Sequence, residues 1–272
     1  MTFTQSIILG ALQGLTEFLP VSSSGHLVLA RSIMHLHTAG DASFDVFVRF
    51  GTLGSVVVVF AESIRRLNRA ILLALKEPKR FAAHYRESED VRLAVFILAG
   101  CVPAALCGMM FSGWVASMFE DPKFVADMLL ITGTFLFFTR LARQSGEGEL
   151  TLGKSVGIGI AQVAAILPGI SRSGVTIGSG LLLGVSREKA AEFSFLMSLP
   201  AIAGAALLRA NQVIFTTPPV KQLAVIAVGM LAAFVTGYIA LRFLLLVLRR
   251  GNFSSFAYYC VIAGILGIVF VE

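Results

Sequence analysis

Gln13-Gly-Leu-Thr-Glu17-Phe-Leu-Pro20-Val-Ser22-Ser23-Ser24-Gly25-His26 and Gln162-Val-Ala-Ala-Ile-Leu-Pro168-Gly-Ile-Ser171-Arg172-Ser173-Gly174-Val-Thr176 follow one pattern. Each runs from a glutamine through Leu-Pro to Ser-x-Ser-Gly, inside sequence that is otherwise apolar. The first tip carries a carboxylate and an imidazole, the second a guanidinium. A charge at the centre of a bilayer costs roughly 2.5–3.5 kcal/mol on insertion scales. A chain that places such groups there twice, in one pattern, is using them together.

Composition sets the class. Of 272 residues, 56% are hydrophobic and 14% charged, against about 25% charged in a soluble domain. With a mean hydropathy of +0.84, the chain reads as an all-α polytopic membrane protein. The segment 3–19 lacks a basic leader and contains Gln13, Thr16 and Glu17, so it is not expected to be a cleavable signal peptide. The net charge of +6 is spread over loops and reads as a topology signal; membrane lipids are expected partners and nucleic acid is not. Cys101, Cys107 and Cys260 lie in apolar stretches without metal-ligand spacing and read as small packing residues.

Six stretches are long enough to span at about 20 residues per crossing: about 44–61, 93–111, 124–142, 190–209, 222–248 and 256–271. Two more apolar regions, about 3–35 and 155–185, are broken midway by Pro, Gly and Ser. A break at membrane depth is tolerated only inside protein or beside a cavity, so each is expected to be a helical hairpin that enters and returns. The segment 62–92 holds Arg65, Arg66, Arg69, Lys76, Lys79, Arg80, Arg86 and Arg92. It is expected to be a cytoplasmic loop lying against anionic lipid. Counting crossings from there puts the 112–123 loop outside, the 143–154 loop with Arg143 inside, the 210–221 loop outside, the Arg249–Arg250 turn inside and both termini outside. The result is a single membrane domain, 1–272, of two repeats, about 1–142 and 150–272, each a re-entrant hairpin plus three transmembrane helices. Three crossings turn the second copy over, so this is an inverted repeat whose two tips meet near the midplane.

Gln13 and Glu17, four apart, share a helix face, and Pro20 ends that helix. Ser22, Ser23 and Ser24 follow, Gly25 eases the turn and His26 opens the returning helix. Serines ahead of a helix, with its free backbone N–H groups, make an anion site. The second tip repeats this with Ser171, Ser173, Gly174 and Thr176, and Arg172 adds a fork suited to phosphate oxygens. Each residue has a structural alternative. Serines can bond backbone carbonyls, Arg172 can snorkel, His26 can be a structural donor, and Glu17 can be an ion-pair partner of Arg172. Elsewhere, Asp45 and Arg49 read as a local ion pair, with recruitment of an anionic headgroup by Arg49 as the alternative, Glu188 and Glu192 as interfacial residues, and His35, His37 and His84 as solvated loop residues.

Glu17-Phe-Leu-Pro-Val-Ser-Ser-Ser-Gly-His26 and Leu167-Pro-Gly-Ile-Ser-Arg-Ser-Gly174 closely resemble the motifs of the undecaprenyl-diphosphate phosphatase family of bacterial membranes, also called the bacitracin-resistance family. The similarity covers nearly the whole chain and includes Phe50-Gly51-Thr52-Leu53 and Glu192-Phe-Ser-Phe-Leu-Met-Ser-Leu-Pro200. The resemblance implies an enzyme of the bacterial inner (cytoplasmic) membrane that converts C55 polyprenyl diphosphate to the monophosphate. That recycles the lipid carrier for peptidoglycan and other envelope polymers and confers bacitracin resistance. The chain departs from the family at two positions. The family often has Glu where this chain has Gln13, and commonly Gln where it has Arg49, so no role passes to Arg49.

By this resemblance Ser23 aligns with the family's proposed catalytic serine and is the expected nucleophile on the terminal phosphorus, with attack by water as the alternative. Glu17 or His26 would take its proton. Arg172 is expected to hold the phosphoryl oxygens and stabilise their charge, and Ser22, Ser24, Gly25, Ser171, Ser173, Gly174 and Thr176 to bind phosphate. The diphosphate brings a charge of roughly −2 to −3 and Glu17 adds to it, while Arg172 and His26 cannot balance the sum. A divalent cation, Mg2+ or Ca2+, is therefore expected, with Glu17 and Gln13 as protein ligands. The competing reading is a polyprenyl-phosphate flippase or anion transporter on the same fold; a base beside a nucleophile, which a carrier does not need, favours the enzyme. The site is expected to open to the outer (periplasmic) face, and a homodimer is the candidate assembly.

Overall fold

Proline, glycine and capping serines decide where the helices of this chain stop. A computed structural model describes residues 1–34, 36, 42–142, 148–214 and 220–270. Helix α1, Phe3–Phe18, starts in a capping box between Thr2 and Gln5 and ends before Pro20. Helix α2, Ser23–Ile33, returns against it after a tip of four residues. Helix α3, Ala42–Val59, bends by 84° into α4, Ala61–Lys76. A 3-10 turn at Pro78–Arg80 and α5, Phe81–Glu87, lead to α6, Glu89–Met110, whose first turn is capped by Ser88. Helix α7, Ser112–Met118, precedes α8, Pro122–Phe138, which Asp121 caps with proline at the first helical position. Then come α9, Leu152–Ala164, α10, Arg172–Leu182, α11, Arg187–Ile214, α12, Val220–Arg249, and α13, Phe256–Phe270. No strand occurs among the described residues.

Among the described residues, four stretches are long and apolar enough to cross a membrane: Glu89–Met110, Pro122–Leu141, Gln222–Arg249 and Phe253–Phe270. The bent pair Phe44–Val59 and Ala61–Lys76 makes a fifth if it counts as one span. Leu98, Leu106, Ile131, Leu231 and Ile262 stand exposed on these helices, an apolar outer surface suited to lipid. The chain is a multi-pass, all-helical membrane protein.

Between helices in lipid, close backbone approach replaces the hydrophobic driving force. A Cβ on Gly10 of α1 would lie 2.2 Å from the Gly229 carbonyl oxygen of α12, and one on Gly159 of α9 would lie 2.3 Å from that of Gly100 on α6. Only glycine permits either contact. The central cluster joins Phe18, Val21, Val56, Leu136, Ile177, Phe195 and Leu241, so that both hairpins rest on one packed core. Phe18 meets Phe195 edge to face at 5.7 Å, a favoured aromatic geometry.

Several expectations change in three dimensions. The basic 62–92 segment is not a loop: it is helical over most of its length, with Leu67 and Ala74 buried and Arg65, Arg66 and Arg69 exposed on α4. His84 is not a solvated loop residue. It lies on α5, largely covered, with Nε2 3.3 Å from Glu77 Oε2. The 112–123 connection contains α7. Helix α11 runs to Ile214 and α12 starts at Val220, which shortens the expected 210–221 loop from both ends. His35, His37 and Arg143 lie outside the described residues.

Candidate active site

The two hairpin tips touch. A Cβ on Gly25 would stand 3.2 Å from the Cα of Gly169, and one on Gly174 would stand 3.3 Å from the Cβ of Pro20. Each tip glycine therefore abuts the opposite tip. Ser173 Oγ donates to the Leu19 carbonyl at 3.2 Å, which ties the second tip to the first. Thr132 on α8 bridges below: its hydroxyl donates to the Gly169 carbonyl at 2.9 Å and accepts from the Ser171 N–H at 3.1 Å.

The tips are built alike. Ser22 Oγ accepts from the Gly25 N–H at 3.2 Å and Ser171 Oγ from the Gly174 N–H at 3.1 Å, so each starts its returning helix in the same way. Ser22 and Ser24 hydroxyls are 3.3 Å apart, and those of Ser171 and Ser173 3.2 Å. Ser22 has φ 67°, the one positive φ of a non-glycine residue among those described. Such a conformation costs of order 1–3 kcal/mol and concentrates at functional positions. It sits directly before Ser23.

Glu17 is the hub. Its Oε2 accepts from Ser23 Oγ at 2.6 Å and from Gln13 Nε2 at 2.8 Å. Its Oε1 accepts from Arg172 Nη2 at 2.6 Å, across the two tips. The Glu17 side chain is 9% exposed and that of Arg172 21%, so the pair is mostly shielded from water yet open on one side. Arg172 Nη1 is buried with no partner, a donor free to take an oxyanion.

His26 faces the other way. Its Nδ1 lies 2.8 Å from the Ser22 carbonyl, which can only accept, so Nδ1 carries the proton. Nε2 then accepts from the Tyr259 hydroxyl at 2.8 Å, and the two rings stack. Both imidazole nitrogens are engaged away from Ser23 Oγ. Thr176 is buried, donating to the Arg172 carbonyl at 2.8 Å and pairing with Ser194 Oγ at 2.6 Å. Sequence reasoning missed Tyr259, Thr132 and Ser194. Ser194 lies inside the quoted Glu192–Pro200 motif, which was the one signal that could have found it; Thr132 and Tyr259 lie in spans that carry no quoted motif.

Gln13 Oε1 is buried without a partner next to Glu17. It is an oxygen acceptor that fits a hard cation. Among the described residues no group of three or more His, Cys, Asp and Glu could hold a metal, so an ion here would draw most of its ligands from phosphate and water.

Outside the tips, Asp45 is not paired with Arg49. Arg31 Nη1 donates to Asp45 Oδ2 at 3.0 Å and Nη2 bonds Oδ1, which ties the end of α2 to the start of α3. Glu192 accepts from Ser63 Oγ at 2.5 Å and lies 3.6 Å from Arg66, joining α11 to α4. Glu188 lines a separate cavity of about 170 Å³ with Ser63, Arg187 and Arg249.

A family model described as "Bacitracin resistance protein BacA" matches residues 6–266. A protein of Desulforapulum autotrophicum named undecaprenyl-diphosphatase is 40% identical over 99% of this chain and 98% of its own. Proteins of the same name from Salinibacter ruber and Rubrobacter xylanophilus are 39% and 42% identical, covering 98% and 94% of this chain and 99% and 93% of theirs. With a serine poised on a carboxylate, a free guanidinium donor opposite, and similarity along almost its entire length, this chain belongs to the BacA family of bacitracin-resistance proteins.

Proposed function

We propose that this chain is an undecaprenyl-diphosphate phosphatase, cleaving the C55 polyprenyl diphosphate to the monophosphate and inorganic phosphate. This recycles the lipid carrier for peptidoglycan and envelope polymers and confers bacitracin resistance. Family membership and the relatives' shared name support the activity. The observation that carries the chemistry is the 2.6 Å bond from Ser23 Oγ to Glu17 Oε2, with Arg172 on the other carboxylate oxygen.

Ser23 Oγ attacks the terminal phosphorus as Glu17 takes its proton. The bond from that phosphorus to the bridging oxygen breaks, and the lipid monophosphate leaves. Water then attacks the phosphoserine, freeing inorganic phosphate and restoring Ser23. Arg172 Nη1 holds phosphoryl oxygens and opposes the charge that gathers on them. Ser22, Ser24, Ser171 and Ser173 line the same two tips and complete the phosphate cradle; the Gly25 and Gly174 N–H groups act through Ser22 and Ser171, whose oxygens they hold. His26 secures the strained Ser22 backbone through its carbonyl. Glu17 and Gln13 Oε1 would hold a Mg2+ or Ca2+ ion, which when bound neutralises phosphate charge.

The architecture belongs to the same proposal. Helices α1 and α12 pack together as α9 and α6 do, each pair through a glycine-to-glycine contact. Contact of α3 with α12 is matched by contact of α11 with α6. This exchange supports an inverted repeat of 1–142 and 150–272, with α11 as the sixth span and two re-entrant hairpins. The basic residues of 62–92 on the cytoplasmic side set the site opening to the outer face of the bacterial cytoplasmic membrane. A homodimer is the proposed assembly, to be checked by the mass of the purified protein.

Phosphate release from C55 polyprenyl diphosphate by purified protein, beside Ser23→Ala and Arg172→Lys and with and without chelator, tests this reading. Release that collapses in both variants supports it. Transport of the lipid by folded protein without any phosphate release would replace it with the flippase reading.

A further inference from the structure

We propose that Arg49 forms a second cationic subsite, which holds the phosphate that stays on the lipid while Arg172 holds the one that leaves. The inference rests on the phosphatase reading above.

Among the described residues Arg49 has no counter-ion. Its Nε is buried and has no hydrogen-bond partner. The carboxylate one turn away, Asp45, is occupied on both oxygens by Arg31. Arg49 is half-buried, and a guanidinium with a buried, unpartnered Nε within a membrane protein is costly. A chain that keeps one has a use for an anion there.

Its position leads to the tips. Asp45, Arg49, Thr52 and Val56 are spaced four, three and four apart on α3, which puts them on one helix face. At the upper end of that face stands the Arg31–Asp45 pair with α2. At the lower end Val56 packs with Phe18 and Val21, the residues that flank the first tip. Thr52 and Val56 are fully buried, so the face turns inward. Along the axis Arg49 is about 6 Å from Asp45 and about 10 Å from Val56. On α2, Leu27 lies one turn from Arg31 toward Ser23 and shares a cluster with Phe44 and Val48. Along α3, Arg49 thus stands between the Arg31–Asp45 pair and Val56, which packs in the cluster of Phe18 and Val21 at the first tip.

A guanidinium fork matches phosphate oxygens in shape and charge. When the anhydride breaks, negative charge moves onto the bridging oxygen and leaves with the lipid phosphate. A cation at that phosphate stabilises the departing group. Arg172 and Arg49 would thereby divide the diphosphate between the second tip and α3.

The test compares ligands with two phosphorus groups and one. Affinities for farnesyl methylenediphosphonate and farnesyl phosphonate are measured on full-length protein in neutral detergent, for wild type, Arg49→Ala, Arg49→Gln and Arg49→Lys. The expected result is a loss of about tenfold or more for the diphosphonate in Ala and Gln, a smaller loss in Lys, and little change for the monophosphonate. Melting temperature without ligand is expected to hold, since Arg49 has no partner to lose. Equal loss for both ligands, or no loss for either, overturns the subsite. Unchanged diphosphonate affinity together with Arg49-dependent binding of phosphatidylglycerol vesicles also overturns it, in favour of a bulk-lipid headgroup. If wild type binds the diphosphonate through Arg49 but releases no phosphate from polyprenyl diphosphate, the subsite stands and the phosphatase reading falls.

Discussion

Ser23 and Arg172 occupy the same place in the two hairpin tips, each one residue after its capping serine, and each bonds a different oxygen of Glu17. The two matched positions carry a hydroxyl and a cation around one carboxylate. On the proposed mechanism, removing the Ser23 hydroxyl takes away the attacking atom and only one hydrogen bond. Ser23→Ala is expected to lower turnover by about a thousandfold or more with little change in melting temperature. Glu17→Ala leaves Arg172 unpaired in a shielded site and is expected to destabilise by about 3–5 kcal/mol as well. Phosphate release and thermal melting in detergent separate the two.

Gln13 is the test of the metal. It holds Glu17 through Nε2 and presents a partnerless Oε1. Gln13→Glu adds a negative ligand, and the Mg2+ concentration for half-maximal activity is expected to fall about tenfold, or 1.4 kcal/mol in binding. A titration curve that coincides with wild type removes Gln13 from the metal site.

Tyr259, His26 and Ser22 form a chain that ends beside Ser23. If its role is positioning, Tyr259→Phe and His26→Ala should not add. The double variant is expected to be no slower than His26→Ala alone, a coupling that a double-mutant cycle measures directly. Additive losses would mean that the two act separately.

The glycine contacts carry the helix packing. Gly10→Ala and Gly159→Ala each drive a methyl into a backbone carbonyl, at 2.2 and 2.3 Å, and are expected to destabilise by about 1–3 kcal/mol or more. Gly113, with nothing within 4 Å of its would-be Cβ, is the control. Thermal melting of the three alanine variants decides.

Outside the membrane, Lys189 donates to Glu149 at 2.7 Å and holds that carboxyl below the usual range. A depressed native value means that the contribution is complete above the ordinary glutamate pKa of about 4.3. It is lost as pH falls through the lowered native value. The pair is exposed, so the effect is small. The melting difference between wild type and Glu149→Gln is expected to shrink toward zero in acid.

Helix class, the two breaks and the residues of both tips were legible along the chain, because hydrophobic runs, proline and capping serines act locally. So was the meeting of the tips, through the matched motifs. The sequence did not reveal that both His26 nitrogens are spent on Ser22 and Tyr259, or that Asp45 takes Arg31 and leaves Arg49 without a partner. Nor did it show that the basic segment is helical, or the 84° bend by which α3 passes into it. Spacing along one helix names every residue that could pair. Only packing between helices, which brings Glu17 to Arg172 across 155 positions, selects the pair that forms.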